Sequence, residues 1–185
     1  MKSPKGKGNA HERWTSDKLS TWFGEPFKRI PSSGALRWHG VNADTFGDLL
    51  VPPSFKAVVE CKHRKNFDML ATIGQKPGPG NLLGWWQQSV ADADRCGLEL
   101  KERRVPLLVA KGNRSLPVIC FPASLGKYLP PLIRSEVVRP EIPSVWIVPF
   151  DHFLETVPRD TMSEAIEQWL GLGGDENGSN AVGST

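Results

Sequence analysis

The chain has 185 residues, 39% hydrophobic and 23% charged, with 23 Lys+Arg against 20 Asp+Glu and a formal net charge of +3. That balance is ordinary for one soluble globular domain long enough to bury a real core. No apolar run approaches the roughly 20 residues of a membrane span, and the N-terminus has no apolar signal core.

Residues 1–8 (Met-Lys-Ser-Pro-Lys-Gly-Lys-Gly) read as a flexible basic arm. A helical pattern follows from about Asn9, a plausible N-cap, to Phe23, with Trp14, Leu19, Trp22 and Phe23 as its apolar residues. Glu12, Ser16, Leu19 and Phe23 share one stripe, so Glu12 lies nearer the inward face than a solvating residue should. Exposure at the helix start, favoured by the dipole, is the alternative. Gly24 and Pro26 end the helix. Phe27–Ile30 predicts a short strand, and Pro31-Ser32-Ser33-Gly34 a turn. In residues 35–46, His39 and Asp44 are the polar side chains that could act as ligands.

The next stretch holds the chemistry. Asp48 opens one apolar run, Pro52-Pro53-Ser54 form a turn, and a second run ends in Glu60-Cys61-Lys62. Strand alternation puts Glu60 and Lys62 on one face and Cys61 on the other. A hairpin with a three-residue turn would set Asp48 opposite Val58, diagonal to Glu60 at roughly 7–8 Å. A two-residue turn would reverse the parity. Two carboxylates and a lysine at a sheet rim can hold a hard divalent cation beside an amine, the equipment for phosphodiester hydrolysis. An ordinary hairpin with a surface Glu-x-Lys is the bland alternative. An all-oxygen set fits Mg²⁺, with Mn²⁺ as substitute, better than Zn²⁺, since no His/Cys set has zinc spacing. His63 reads as a solvated or phosphate-contacting residue.

Residues 66–81 predict a long exposed loop. Leu82 to about Cys96 is a helix with Gly97 as its stop; it carries Trp85, Trp86, Gln87 and Gln88. Adjacent tryptophans face different directions, so at least one packs in the core, while the other could stack on exposed bases. Pro106–Ala110 and Pro117–Phe121 predict paired strands around a Gly112-Asn113 turn. Residues 122–143 are Pro-rich and unassigned. Val145–Val148 is a further strand. Thr161-Met162-Ser163-Glu164 has capping-box spacing before a short helix ending near Leu170. The tail after residue 170 reads as disordered, leaving 9–170 as a single domain. Cys61, Cys96 and Cys120 have neither metal spacing nor a disulfide framework, which favours a reducing, cytoplasmic compartment.

Charge is distributed unevenly. Residues 1–65 hold 12 Lys+Arg against 6 Asp+Glu, and residues 66–185 hold 11 against 14. The basic half contains the candidate site of Asp48, Glu60 and Lys62, as a polyanion-binding surface requires. A basic N-terminal arm would explain Lys5 and Lys7. It would not explain Arg29, Arg37, Arg64 and Lys65, which lie among strand and turn signals.

In this order and spacing, Lys7-Gly8, Glu12-Arg13, Arg29-Ile30-Pro31-Ser32-Ser33-Gly34, Gly47-Asp48, Val58-Val59-Glu60-Cys61-Lys62 and a downstream Gln resemble the PD-(D/E)xK nuclease superfamily. Within it, they resemble the archaeal-type Holliday-junction resolvases and their phage relatives, over about residues 5–110. The resemblance implies an α/β fold with a restriction-endonuclease-like core, a mixed central β-sheet flanked by helices. It implies Asp48 and Glu60 as metal ligands with the Cys61 carbonyl, Glu12 completing the acidic cluster, and Lys62 acting on water or phosphate. Ser32 or Ser33 would contact the scissile strand, and Gln88, with Gln87 as rival, would orient the lysine or water. Lys5, Lys7, Arg13, Arg29, Arg37, Arg64 and Lys65 would bind DNA. The implied substrate is a four-way junction, and two symmetric cuts ask for a homodimer; the alternatives are another nuclease of the superfamily, of restriction, repair or DNA-processing type, and a non-catalytic DNA-binding module on the same fold. Three features depart from the pattern: Asp48 follows Gly47 rather than proline, the Gly34–Asp48 stretch and the 66–81 loop are long, and nothing beyond 110 matches.

Overall fold

The computed structural model describes residues 4–30, 46–65 and 74–171. Helix α1 (Pro4–Phe23) leads into two short strands, β1 (Lys28–Arg29) and β2 (Leu49–Leu50), and then β3 (Ala57–Arg64). Helix α2 (Leu82–Leu100) crosses to β4 (Val105–Gly112), followed by β5 (Val118–Pro122), β6 (Ser135–Arg139) and β7 (Ile142–Pro149). Helices α3 (Phe150–Thr156) and α4 (Arg159–Gly171) complete the described chain. The main sheet runs β3-β4-β5-β7-β6, with β3 and β4 parallel and the other neighbours antiparallel. This is the α/β, mixed-sheet architecture expected from the sequence.

Parallel strands need a long crossover, and α2 supplies it. The register sets Glu60 opposite Leu108 and Lys62 opposite Ala110. Ala57, Val59 and Cys61 turn toward a core built with Leu19 and Phe23 of α1, Phe150 and Phe153 of α3, and Ile166 of α4. Val58 turns the other way, onto Ala93 and Cys96 of α2. Trp86 of α2 enters the core on that second side with Leu108, Cys120 and Val145, and its indole N–H donates to the Pro143 carbonyl at 3.0 Å. Helices therefore cover both faces of the sheet.

In α1 the residues His11, Thr15, Leu19 and Phe23 recur every fourth position and are buried, forming the inward stripe with Glu12 at its border. Gly24, at φ 80°, terminates the helix with its N–H on the Ser20 carbonyl at 2.9 Å.

Several expectations are corrected. Helix α1 starts at Pro4 rather than Asn9, so it takes in part of the segment read as a flexible arm. The hairpin register does not form. β2 instead pairs with β1, as Lys28↔Leu50 and Arg29↔Leu49, and meets β3 through a parallel bridge from Gly47 to Val59. Pro52 and Pro53 have no N–H for a ladder, and the Phe55 N–H turns back onto the Pro52 carbonyl at 2.8 Å. Gly97 lies inside α2, which stops only where Lys101 takes a left-handed φ of 58°. Thr161 lies inside α4, whose first turn is entered from Pro158. The Pro-rich stretch contains a 3₁₀ turn, Leu125–Tyr128, and strand β6. Ser32, Ser33, Arg37, His39 and Asp44 lie outside the described residues.

Trp86 is fully buried whereas Trp85 is partly exposed. Trp86→Ala is expected to lower the unfolding free energy by about 3–5 kcal/mol in urea denaturation. Trp85→Ala should lower it by much less.

Candidate active site

The centre forms on the open edge of β3. Asp48 donates its N–H to the Val59 carbonyl at 2.9 Å, and its Oδ2 accepts the Cys61 N–H, also at 2.9 Å. In an extended strand the N–H and C=O of one residue point the same way, so the Cys61 carbonyl leaves β3 on the side where Asp48 sits. Gly47 makes this approach possible. It adopts φ 88°, and a Cβ there would meet the Val59 carbonyl oxygen at 2.6 Å.

Glu60 and Lys62 share the α2-facing side of β3, with Lys62 Nζ donating to Glu60 Oε2 at 2.9 Å. Glu60 is only 4% exposed. Burial, and then the neighbouring Asp48 charge, push its carboxyl up to about 8, against the opposing pull of Lys62. For Lys62, burial works against the charged form. The carboxylates of Glu60, Asp48 and Asp92 outweigh it and hold the ammonium above its usual range. The Cys61 thiol is fully buried and pushed well up, so residue 61 offers its backbone carbonyl rather than sulfur.

Glu12 stands on α1 with its carboxylate on the Arg29 guanidinium, and Arg29 Nη2 also donates to Asn9 Oδ1 at 3.0 Å. Gln88 is exposed on α2, one turn before Asp92. Gln87 donates to the Glu141 carbonyl at 3.3 Å, which ties it toward the β6–β7 turn. Arg13 and Lys65 are exposed, and the Arg64 guanidinium bonds the Gly80 carbonyl. Lys5 and Lys7 fall in the first turns of α1.

Two neighbours were missed in the sequence. Asp92, paired with Arg95 at 2.7 Å, acts electrostatically on both Glu60 and Lys62. Its signal was its place four residues after Gln88, on the same helical stripe. His11 is 4% exposed, stacks on Trp14 and bonds the Val109 carbonyl through Nε2 at 3.2 Å. Burial lowers its pKa to about 4, with the charges of His63 and Lys111 adding to the effect. His11 continues the Thr15-Leu19-Phe23 stripe by one turn, which is how it could have been found.

A model of the family described as phage putative PDDEXK endonuclease matches residues 3–156. The chain belongs to this family. The match spans all the residues just described, and the five-stranded mixed sheet flanked by helices is consistent with a restriction-endonuclease-like fold. No curated protein and no solved structure matched the chain.

The donor chemistry suits a hard divalent cation. Among the described residues no three His, Cys, Asp or Glu side chains form a metal-holding group. Asp48, Glu60 and the Cys61 carbonyl would offer only oxygen donors, the chemistry that Mg²⁺ prefers. A groove of about 860 Å³ beside α2, lined by Asp94, Arg103, Lys127 and Trp146, includes none of these residues.

The raised carboxyl of Glu60 has a consequence for stability. Below the ordinary carboxylate range both folded and unfolded chains are protonated at Glu60, and nothing is lost. As pH rises toward 8 the unfolded chain ionises first, so Glu60 progressively destabilises the fold. Without divalent ions, Glu60→Gln should therefore be more stable than wild type at pH 8, on the order of a few kcal/mol. Thermal melts at the two pH values should show this gap closing at about pH 4.

Proposed function

We propose that this PDDEXK endonuclease is a Mg²⁺-dependent, structure-selective DNA endonuclease whose centre is Asp48, Glu60 and Lys62. The observation that carries this reading is the clasp of Asp48 onto Cys61, which gathers two carboxylates and a carbonyl beside an ammonium on an open strand edge. Asp48, Glu60 and the Cys61 carbonyl would hold the cation, with Glu12 as a further carboxylate. When bound, the cation supplies an activated water and a Lewis acid for the phosphoryl oxygen. Lys62, whose ammonium lies on Glu60, would position or deprotonate the attacking water and stabilise the charge gathering on the phosphate. Gln88, on the stripe of Asp92, orients the lysine or the water.

The substrate we infer is branched DNA, a four-way junction cut by a two-fold dimer inside the host cell. This rests on the motif order, which resembles the junction resolvases, and on the basic character of residues 1–65. Lys5, Lys7, Arg13, Arg29, Arg64 and Lys65, with Ser32, Ser33 and Arg37, would contact the phosphates, so binding weakens steeply with salt.

Cleavage of four-way junction, flap, nicked and linear DNA, with Mg²⁺, with Mn²⁺ and with EDTA, separates the possibilities. Paired symmetric nicks near the crossover are expected with either metal and none with EDTA; preference for linear duplex would sink the junction assignment. Asp48→Asn and Lys62→Ala should each lower cleavage by at least about 10²-fold and leave DNA binding largely intact. Loss of folding in either variant, read by circular dichroism, would make that residue structural instead.

A further inference from the structure

Glu12 and Arg29 form more than a surface ion pair. Their side chains are only 14% and 21% exposed, and a pair so sheltered leaves an uncompensated charge when one partner is removed. Arg29 lies in β1, in register with Leu49, and the next residue's N–H (Ile30) bonds the Asp48 carbonyl at 3.0 Å. One guanidinium thus links the helix bearing Glu12 to the strand segment bearing Asp48. Glu12, engaged by Arg29, is thereby joined to the β1–β2 pair that adjoins Asp48.

We propose that Arg29 is a positioning residue: it keeps Glu12 from a bound cation until a DNA phosphate takes the guanidinium, so that DNA and cation bind cooperatively. This rests on the reading of the centre as a divalent-cation nuclease. A guanidinium fork fits carboxylate and phosphate equally well, so an arriving phosphate exchanges one anionic partner for another. The released Glu12 adds a third carboxylate to an all-oxygen set, which strengthens its hold on a hard cation. By linkage, whatever DNA gains for the cation, the cation gains for DNA.

The test is calorimetric titration of the full chain with Ca²⁺, with and without a short duplex oligonucleotide. It compares wild type, R29Q, E12Q and the double variant. R29Q should raise DNA-free Ca²⁺ affinity about ten-fold where Glu12 is present and leave it unchanged in the E12Q background. An equal rise in both backgrounds would mean that Arg29 acts only as a nearby positive charge, and would overturn the proposal. DNA should tighten Ca²⁺ binding more in wild type than in E12Q. Should R29Q fail to fold, equal coupling in wild type and E12Q would overturn the proposal by itself. If wild type binds no Ca²⁺, or E60Q binds it equally well, the reading of the centre fails and this inference falls with it.

Discussion

The clasp of Asp48 on β3 is the contact on which the rest of the site depends. β3 is an edge strand of the main sheet, and its backbone groups at Val59 and Cys61 face outward. A single residue answers both, its amide at Val59 and its carboxylate at Cys61. That arrangement blunts an edge that would otherwise invite another strand. It also sets an acidic oxygen beside the Cys61 carbonyl, with Glu60 and Lys62 staggered one residue to either side. Gly47 is the enabling residue, because only a glycine tolerates both its φ and its proximity to the Val59 carbonyl.

Around that contact the electrostatics work against folding. Glu60 is buried and close to Asp48, and Lys62 alone does not restore its ordinary acidity. A buried carboxyl held so far from its usual range has no structural advantage over a neutral isostere. Perturbed groups of this kind cluster at functional sites. Lys62 has the opposite character, since three carboxylates favour its charge. The result is a strand edge with excess negative potential around one fixed ammonium.

Much of this was legible in the sequence. Alternation alone put Glu60 and Lys62 on one side of β3 and Cys61 on the other, since period two is robust in a buried strand. The pairing of Asp48 was misread because a proline turn between two apolar runs imitates a hairpin, whereas Pro52 and Pro53 deny the ladder its donors. Asp92 was overlooked because Glu60 and Lys62, on which its charge acts, lie some 30 residues away across a parallel crossover, and its place on the Gln88 stripe was the one local signal. Helix α3 was missed because its Phe150-Asp151-His152-Phe153 start follows directly on β7 with no turn residue between them. Gly97 was taken as a stop, yet a helix packed along one whole face tolerates it.

The C-terminal helices close the fold over its beginning. Trp22 donates to the Val157 carbonyl at 2.8 Å, Arg159 to the Phe23 carbonyl at 3.0 Å, and Phe150, Phe153, Met162 and Ile166 share one core with Leu19 and Phe23. Helix α1, which carries Glu12, therefore lacks much of its packing surface until about residue 166 has left the ribosome. The motif residues emerge first and become a rigid centre last. A chain halted during synthesis holds every residue of the proposed centre without the scaffold to aim it, so that centre is assembled only with the finished domain.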